Sequence, residues 1–322
     1  MIICAGEALI DMIESQGQNQ LCFIPKPGGS PYNIAIAAAR AGASAGFFGS
    51  ISRDSFGTLL INRLETNSVS VQFVKRCTEP SALAFVQTLY GEPNYSFYFA
   101  GTSMMVFDAA GALALIQKLS RDSCVVFGSI SLVTEPVGTM YETLLLEAAN
   151  SHARLLIAFD PNVRPQLIWD KKNYLRRFEK FAETADIIKA SQADLEYLMP
   201  NASFEQALEI LAANGALLVV GTRGARGAVA VKRTEDGRLL HCEVPGRSVK
   251  IADTVGAGDT FLGALLAELE QKGKLTKETL LAMEENELAE VLNFASCASA
   301  LVCTRYGAEP PTLEEITAEL LQ

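Results

Sequence analysis

Four short apolar runs, SCVVFGS (123–129), ARLLIAFD (153–160), ADIIKAS (185–191) and ALLVVG (216–221), decide the fold class. Each has the length of a strand, and helical patterns near 135–150, 173–184 and 203–213 separate them. Strand alternating with helix predicts a largely parallel sheet with helices on both faces. Upstream, the first strand is MIICAGEALIDMIE. A helix then opens at Ser30-Pro31, with Ser30 as N-cap and Pro31 at the first helical position, runs through NIAIAAARA and stops at Gly42. SAGFFGSI reads as a strand and FGTLLINRLETN as a helix. Downstream, GAGDTFLGALLAELEQ starts a long helix with Phe261, Leu262, Leu265, Leu266 and Leu269 on one face, and a last helix covers 287–302.

Two stretches break the rhythm. Residues 12–27 and 72–101 carry short alternating segments with turn signals at Gly91-Glu92-Pro93-Asn94. They read as antiparallel strands inserted in the core, forming a small β-lid. Without repeat or linker, residues 1–322 read as one domain carrying that lid.

Composition narrows the function classes. A formal charge of −10 over 322 residues disfavours nucleic acid and anionic membrane as partners. No apolar run is long enough to span a bilayer, and the N-terminus lacks a basic leader, so the expected location is cytoplasmic. Seven dispersed cysteines without a C-x-x-C pair suit reduced thiols. The two histidines, His152 and His241, have no motif context for a catalytic triad.

The chemistry concentrates in Asp253-Thr254-Val255-Gly256-Ala257-Gly258-Asp259-Thr260-Phe261. Small residues before a helix let backbone N–H groups converge, and the helix terminus adds positive partial charge, so Gly256, Ala257 and Gly258 can form an anion hole. Asp259, in the first turn, can then take a proton from an incoming hydroxyl, as phosphoryl transfer requires. Gly28-Gly29-Ser30-Pro31-Tyr32-Asn33 brings backbone and an amide to a ligand, and Gly6-Glu7-Ala8-Leu9-Ile10-Asp11 ends the first strand in a carboxylate. Carboxylate plus amide is how a site grips vicinal sugar hydroxyls.

On these two motifs the sequence resembles the ribokinase-like (PfkB) family of carbohydrate kinases, and most of all its fructokinases. G-G-x-x-x-N matches Gly28 to Asn33, and D-T-x-G-A-G-D matches Asp253 to Asp259. The resemblance spans essentially the whole chain and implies an α/β, ribokinase-like, three-layer Rossmann-like core with a small β-sheet lid. It further implies that Asp11, Gly28, Gly29 and Asn33 bind sugar, that Gly256–Gly258 hold the anion, and that Asp259 is the base. Asp160-Pro161-Asn162-Val163-Arg164 resembles a D-x-N-x-R segment of fructokinases and ketodeoxygluconate kinases, which would bring Arg164 to the substrate or the transferring phosphoryl.

ATP with magnesium is the implied phosphoryl donor. Thr222, Gly224 and Gly227 match the family's T-x-G-x-x-G turn at the nucleotide, Asn293 falls where the family lines its adenine pocket, and Lys189 and Ser191 end a strand nearby. Where the family often has N-x-x-E, this chain has Ser191-Gln192-Ala193-Asp194, so Asp194 is either a magnesium contact or a solvated helix start. Asp253 is either a potassium ligand, as in relatives activated by that ion, or a turn stabiliser. In the lid, Phe97-Tyr98-Phe99 is followed by Ala100-Gly101 where fructokinases commonly carry Tyr-Arg; Phe97 and Phe99 face sugar or pack. The resemblance also implies a homodimer paired through the lid.

Other nucleotide motifs fail. There is no G-x-x-x-x-G-K-[ST] and no G-x-G-x-x-G after the first strand. The expected activity is therefore an ATP-dependent sugar kinase, with fructose the first substrate and 2-keto-3-deoxygluconate the second. A catalytically inactive sugar sensor is the competing class, disfavoured because binding alone would not need Asp259.

Overall fold

In the computed structural model the described residues are 1–17, 20–89 and 92–321, with backbone alone for residues 16, 17, 20, 88, 89 and 92–95. The strands in chain order are β1 (Ile2–Ala5), β2 (Leu9–Gly17), β3 (Gln20–Gly28), β4 (Ala45–Ser52), β5 (Val74–Cys77), β6 (Ala82–Leu89), β7 (Glu92–Tyr98), β8 (Cys124–Gly128), β9 (Leu156–Asp160), β10 (Ile187–Ser191), β11 (Leu218–Thr222), β12 (Ala228–Arg233) and β13 (Leu239–Val244). Nine of them form one sheet in the order β13-β12-β11-β10-β9-β8-β1-β4-β5. From β5 to β11 all neighbours are parallel; β12 and β13 are antiparallel additions at one edge.

Parallel strands covered on both faces must be apolar on both, and alternation divides their side chains. Ile2 and Cys4 of β1 join the core beneath helices Ser30–Arg40, Ala257–Gln271 and Glu285–Val302. Ile3 and Ala5 join the opposite core, with helices Val137–Ala149, Lys171–Thr184 and Phe204–Ala213. Helix, sheet, helix is the three-layer arrangement the sequence resemblance implies.

The site is positioned by the strand order. β1 sits between β8 and β4, so the chain winds one way from β1 to β5 and the other way from β8 to β11. Ligands bind at such a reversal, beyond the carboxyl ends of the strands. Helices Ser30–Arg40 and Ala257–Gln271 begin at that edge and lie against each other. Their close approach needs Gly263, where a Cβ would stand 2.8 Å from the Ile34 carbonyl oxygen.

The second sheet has the order β3-β2-β6-β7 and springs from the end of β1. Its strands fall in the two segments that break the helix–strand rhythm, with one correction. Val74–Cys77 is no part of it; that strand pairs in parallel with β4 and closes the large sheet. Its residues Val74-Lys75-Arg76-Cys77 alternate like a lid strand because an edge strand is also half-solvated. The β6–β7 pairing is described from Leu89↔Glu92 outward, and Gly91 of the expected turn lies outside the described residues.

Several elements have no counterpart in the reading of the sequence: β12 and the helices Ala109–Lys118, Lys277–Leu281 and Leu313–Leu320. Among the described residues no helix is long and apolar enough to cross a membrane.

Candidate active site

Two cavities meet at the carboxyl edge of the large sheet. The first, about 440 Å³, is lined by Asp11, Gly29, Asn33, Arg164, Lys189 and Asp259 among others. The second, about 330 Å³, lies between the turn after β11 and the helix Glu285–Val302. Thr222, Gly224, Thr254, Ala257 and Gly258 line both. A ligand with two parts could therefore lie across the shared wall.

Helix Ala257–Gln271 begins at that wall. Gly256 is its N-cap with φ 77°, a left-handed conformation costly for other residues, and a Cβ there would stand 2.6 Å from the Ala308 Cβ. The cap supplies no side-chain hydrogen bond. The first N–H groups of a helix have no intrahelical acceptor. That of Ala257 turns back to the Thr254 carbonyl at 3.2 Å, and the ladder starts only with Thr260 donating to Gly256 O at 2.8 Å. The N–H groups of Gly258 and Asp259 stand between, at the positive end of the helix dipole.

Lys189, buried in the middle of β10, reaches the same point: a Cβ on Gly258 would lie 2.7 Å from its Nζ. Its ammonium pairs with the buried Asp160 carboxylate at 2.9 Å. Burial works against the Lys189 charge, but Asp160, Asp194 and Asp259 outweigh it and leave its pKa above the ordinary lysine value. Burial also pushes the Asp160 carboxyl up to about 6, against the pull of Lys189.

Asp259 lies where this helix meets the other. Ser30 Oγ donates to its Oδ1 at 2.6 Å and Asn33 Nδ2 to its Oδ2 at 3.0 Å. Asn33 lines the cavity, and its Oδ1 is buried without a partner among the described residues. A buried acceptor left unmet is costly, and a ligand hydroxyl in the cavity would satisfy it. Asp11, on β2, faces the same space. Burial, then the nearby Asp259 charge, pushes its carboxyl up to about 7, with Arg164 pulling the other way. Gly28, paired with Leu9, does not line the cavity but leaves room for Asp11; a Cβ there would collide with the Asp11 carboxylate.

Ser30 corrects one expectation. The N-cap of its helix is Gly29, φ 109°, and Ser30 and Pro31 are the first two helical residues. The hydroxyl is thereby free for Asp259, while the open terminus is closed by a residue from outside the motif. Glu7, buried just past β1, accepts from the Ser30 N–H at 3.2 Å, from the Ser131 N–H at 3.2 Å and, at short range, from the Ser131 hydroxyl. Burial raises the Glu7 pKa against these bonds.

The remaining expected residues divide. Arg164 lines the first cavity, its Nη1 donating to Asn162 Oδ1 at 2.7 Å and to the Asn162 and Val163 carbonyls at 3.2 and 3.1 Å. Phe97 lines it too, and both Phe97 and Phe99 pack against the cluster that contains Leu9 and Ala82. Thr222 and Gly224 line both cavities and Gly227 the second. Asn293 does not line the second cavity; Ser296, Ser299, Ala300 and Cys303, further along its helix, do.

Ser191 and Asp194 are a capping box of helix Gln192–Leu198. Asp194 Oδ2 accepts from the Ser191 N–H and hydroxyl at 2.8 and 2.6 Å, and Oδ1 from the Val163 N–H at 2.7 Å. Asp194 thus stands at a helix start, buried rather than solvated, and staples the 160–164 loop through Val163. Asp253 accepts from the Val255 and Gly307 N–H groups at 3.1 and 2.8 Å, the turn-stabilising alternative. Among the described residues no group of three carboxylate, histidine or cysteine side chains forms a metal cage.

This arrangement can hold an anion at a helix terminus beside an ammonium, hold hydroxyls between Asp11 and Asn33, and place a carboxylate where the two meet. Known proteins share its frame. The family model described as pfkB family carbohydrate kinase matches residues 1–315. The chain is 36% identical over 290 residues to a fructokinase of Rhizobium leguminosarum bv. trifolii, covering 89% of this chain and 85% of that one. It is 34% identical over 328 residues to Fructokinase-2 of Solanum habrochaites, covering 98% and 94%. Among solved structures, fructokinase of Xylella fastidiosa with bound ATP superposes with a TM-score of 0.86 at 28% identity, covering 99% of this chain and 98% of that one. Fructokinase of Vibrio cholerae O395, in its fructose-, ADP- and calcium-bound form, gives 0.83 at 25% identity with the same coverage.

Proposed function

Since the chain belongs to the PfkB family of carbohydrate kinases, we propose that it is a fructokinase, transferring the γ-phosphoryl group of ATP to a hydroxyl of D-fructose. One observation carries the reading. Asp259 stands on the first turn of an uncapped helix beside Lys189, and its two oxygens are gripped by Ser30 and Asn33 from the hydroxyl-binding side.

In this reading fructose lies between Asp11, Gly29 and Asn33, with Gly28 keeping the Asp11 carboxylate in place. Asp259 takes the proton from the attacking hydroxyl. The sugar oxygen bonds to the γ-phosphorus as the bond from that phosphorus to the β–γ bridging oxygen breaks, and ADP leaves. Charge on the transferring group is met by the N–H groups at Gly256–Gly258, by Lys189 and by Arg164. Thr222, Gly224 and Gly227 border the nucleotide, whose base enters the cleft beside Ser296 and Ala300.

Magnesium, when bound, neutralises the phosphate oxygens. With Asp194 engaged in its capping box, the nucleotide phosphates would supply most of the ion's oxygen ligands. Potassium at Asp253 is a further part of the proposal; equal rates in potassium and in a bulky organic cation at matched ionic strength would reject it. Assembly through the lid rests on its exposed Leu21, Ile24 and Tyr98, and a monomer at micromolar concentration by sedimentation would remove it.

The deciding experiment is ADP release measured over a small sugar panel. Fructose is expected to give the highest kcat/KM; release unaffected by any sugar would leave only the sensor.

A further inference from the structure

The Ser30 hydroxyl donates a 2.6 Å bond to Asp259 Oδ1 and is buried with it. Ser30 is itself fixed from behind by Glu7, which accepts its N–H and, through Ser131, ties it to the turn after β8. Three elements distant in sequence thus converge on one oxygen of one carboxylate. We propose that Ser30 is a positioning residue for Asp259, holding Oδ1 so that the base keeps one orientation. The proposal rests on the reading of Asp259 as base.

The surroundings say why such a donor is needed. Facing Asp259 are Asp11 from β2, Asp160 and Lys189 from β9 and β10, and the Cys4 thiol from β1. Lys189 is the single cation of this group and is already paired with Asp160 at 2.9 Å. Asn33 holds Oδ2 but not Oδ1. Without Ser30, Oδ1 loses its one protein donor among the described residues and the carboxylate can turn about its Cβ–Cγ bond. A proton on that oxygen would block its use as a base. Removing a donor to a charged form favours the protonated form, so the sign of the effect is fixed.

The test is steady-state kinetics of Ser30→Ala, Asp259→Asn and the double variant with fructose and ATP. For Ser30→Ala, kcat should fall about tenfold and the acid limb of its pH profile should move up by about one unit, the size expected for one hydrogen bond to a charged group. In the Asp259→Asn background the same substitution should leave the residual rate unchanged, because Ser30 acts through the carboxylate. An equal loss in both backgrounds assigns Ser30 to the fold alone and overturns the proposal. If the hydroxyl merely competes with the sugar for Asp259, Ser30→Ala lowers the sugar KM with kcat and its pH profile unmoved, which overturns it too. Near-normal turnover in Asp259→Asn is a separate result, and it removes the base assignment itself.

Discussion

Two helices begin side by side in this site, each at a glycine N-cap with positive φ and no capping side chain of its own, yet they do opposite work. Helix Ser30–Arg40 has its terminus closed by Glu7, a carboxylate supplied by the protein. Helix Ala257–Gln271 has no such partner for Gly258 and finds Lys189 next to it instead. In the proposed reading the first terminus, closed by Glu7, offers side chains to neutral hydroxyls, and the second keeps its positive end for an anion. A glycine-capped terminus is therefore not a phosphate site by itself. What a third element places against it decides.

The comparison breaks most severely at the residue that joins the two helices. Asp259→Asn is expected to lower kcat by roughly 10²-fold or more while the fold and most of the sugar affinity remain, the range for losing a general base. Steady-state kinetics with sugar binding by calorimetry check it, and a rate within a few-fold of the parent would end the assignment.

The open terminus should answer next. Gly256→Val puts a β-branched residue at φ 77° and a Cβ against Ala308, so the turn must shift and the N–H groups with it. A fall in kcat of about 10²-fold is expected, as for removal of an oxyanion-hole donor, with the sugar KM nearly constant. Gly258→Ala should act in the same direction by displacing Lys189. Effects on KM for sugar alone would mean that the two termini have been assigned the wrong way round.

Much of this contrast is legible in the sequence, and the rest is hidden for definable reasons. Asp253 to Asp259 and Gly28 to Asn33 are local motifs whose geometry is set within one turn of chain, so they can be read residue by residue. Glu7 carries no role in the sequence reading, where Asp11 is the carboxylate that ends the strand, because its partners Ser30 and Ser131 lie 23 and 124 residues away. Ser30 reads as an N-cap because Ser-Pro usually is one; the extended, positive-φ backbone of Gly29 takes that place. Asp194 and Asp253 read either as metal contacts or as helix-start and turn residues, and the bonds that bear on the choice reach Val163 and Gly307, 31 and 54 residues away. Asn293, expected on the adenine side, lies on the helix that borders the second cavity through Ser296, Ser299 and Ala300, and one helical face offers several residues at nearly the same angle.

A third substitution sharpens the sugar side. Arg164 faces Asp11, and its Nη1 is bound by the loop it leaves. With neutral fructose, Arg164→Ala should lower kcat more than it raises KM, because the guanidinium then serves mainly the transferring phosphoryl. If the substrate were a keto acid, the binding term would weaken as well, by about 1.5–3 kcal/mol for a bond to a charged group. Unchanged kcat and KM would place Arg164 outside the reaction.

The smallest effect concerns stability rather than rate. The sugar side gathers carboxylates, and burial with the Asp259 charge pushes Asp11 up to about 7 in the folded protein. A carboxyl whose folded pKa is raised contributes stability that is fully present below its unfolded value and lost as pH rises through the folded one. For Asp11 that window runs from about 4 to about 7. Asp160 and Glu7 are raised as well and weaken the wild type over overlapping ranges, so the wild-type curve alone cannot isolate Asp11. The difference between wild type and Asp11→Asn can, because the amide does not ionise. Without ligands, the Tm of Asp11→Asn relative to wild type should rise from pH 5 to pH 8 by about 2–4 °C, corresponding to about 1–2 kcal/mol after discounting for solvent at a half-buried group. Fructose binding should be lost in the same variant. Parallel Tm curves would show that Asp11 ionises freely, and the electrostatic contrast between the two helix termini would then rest on Lys189 and Glu7 alone.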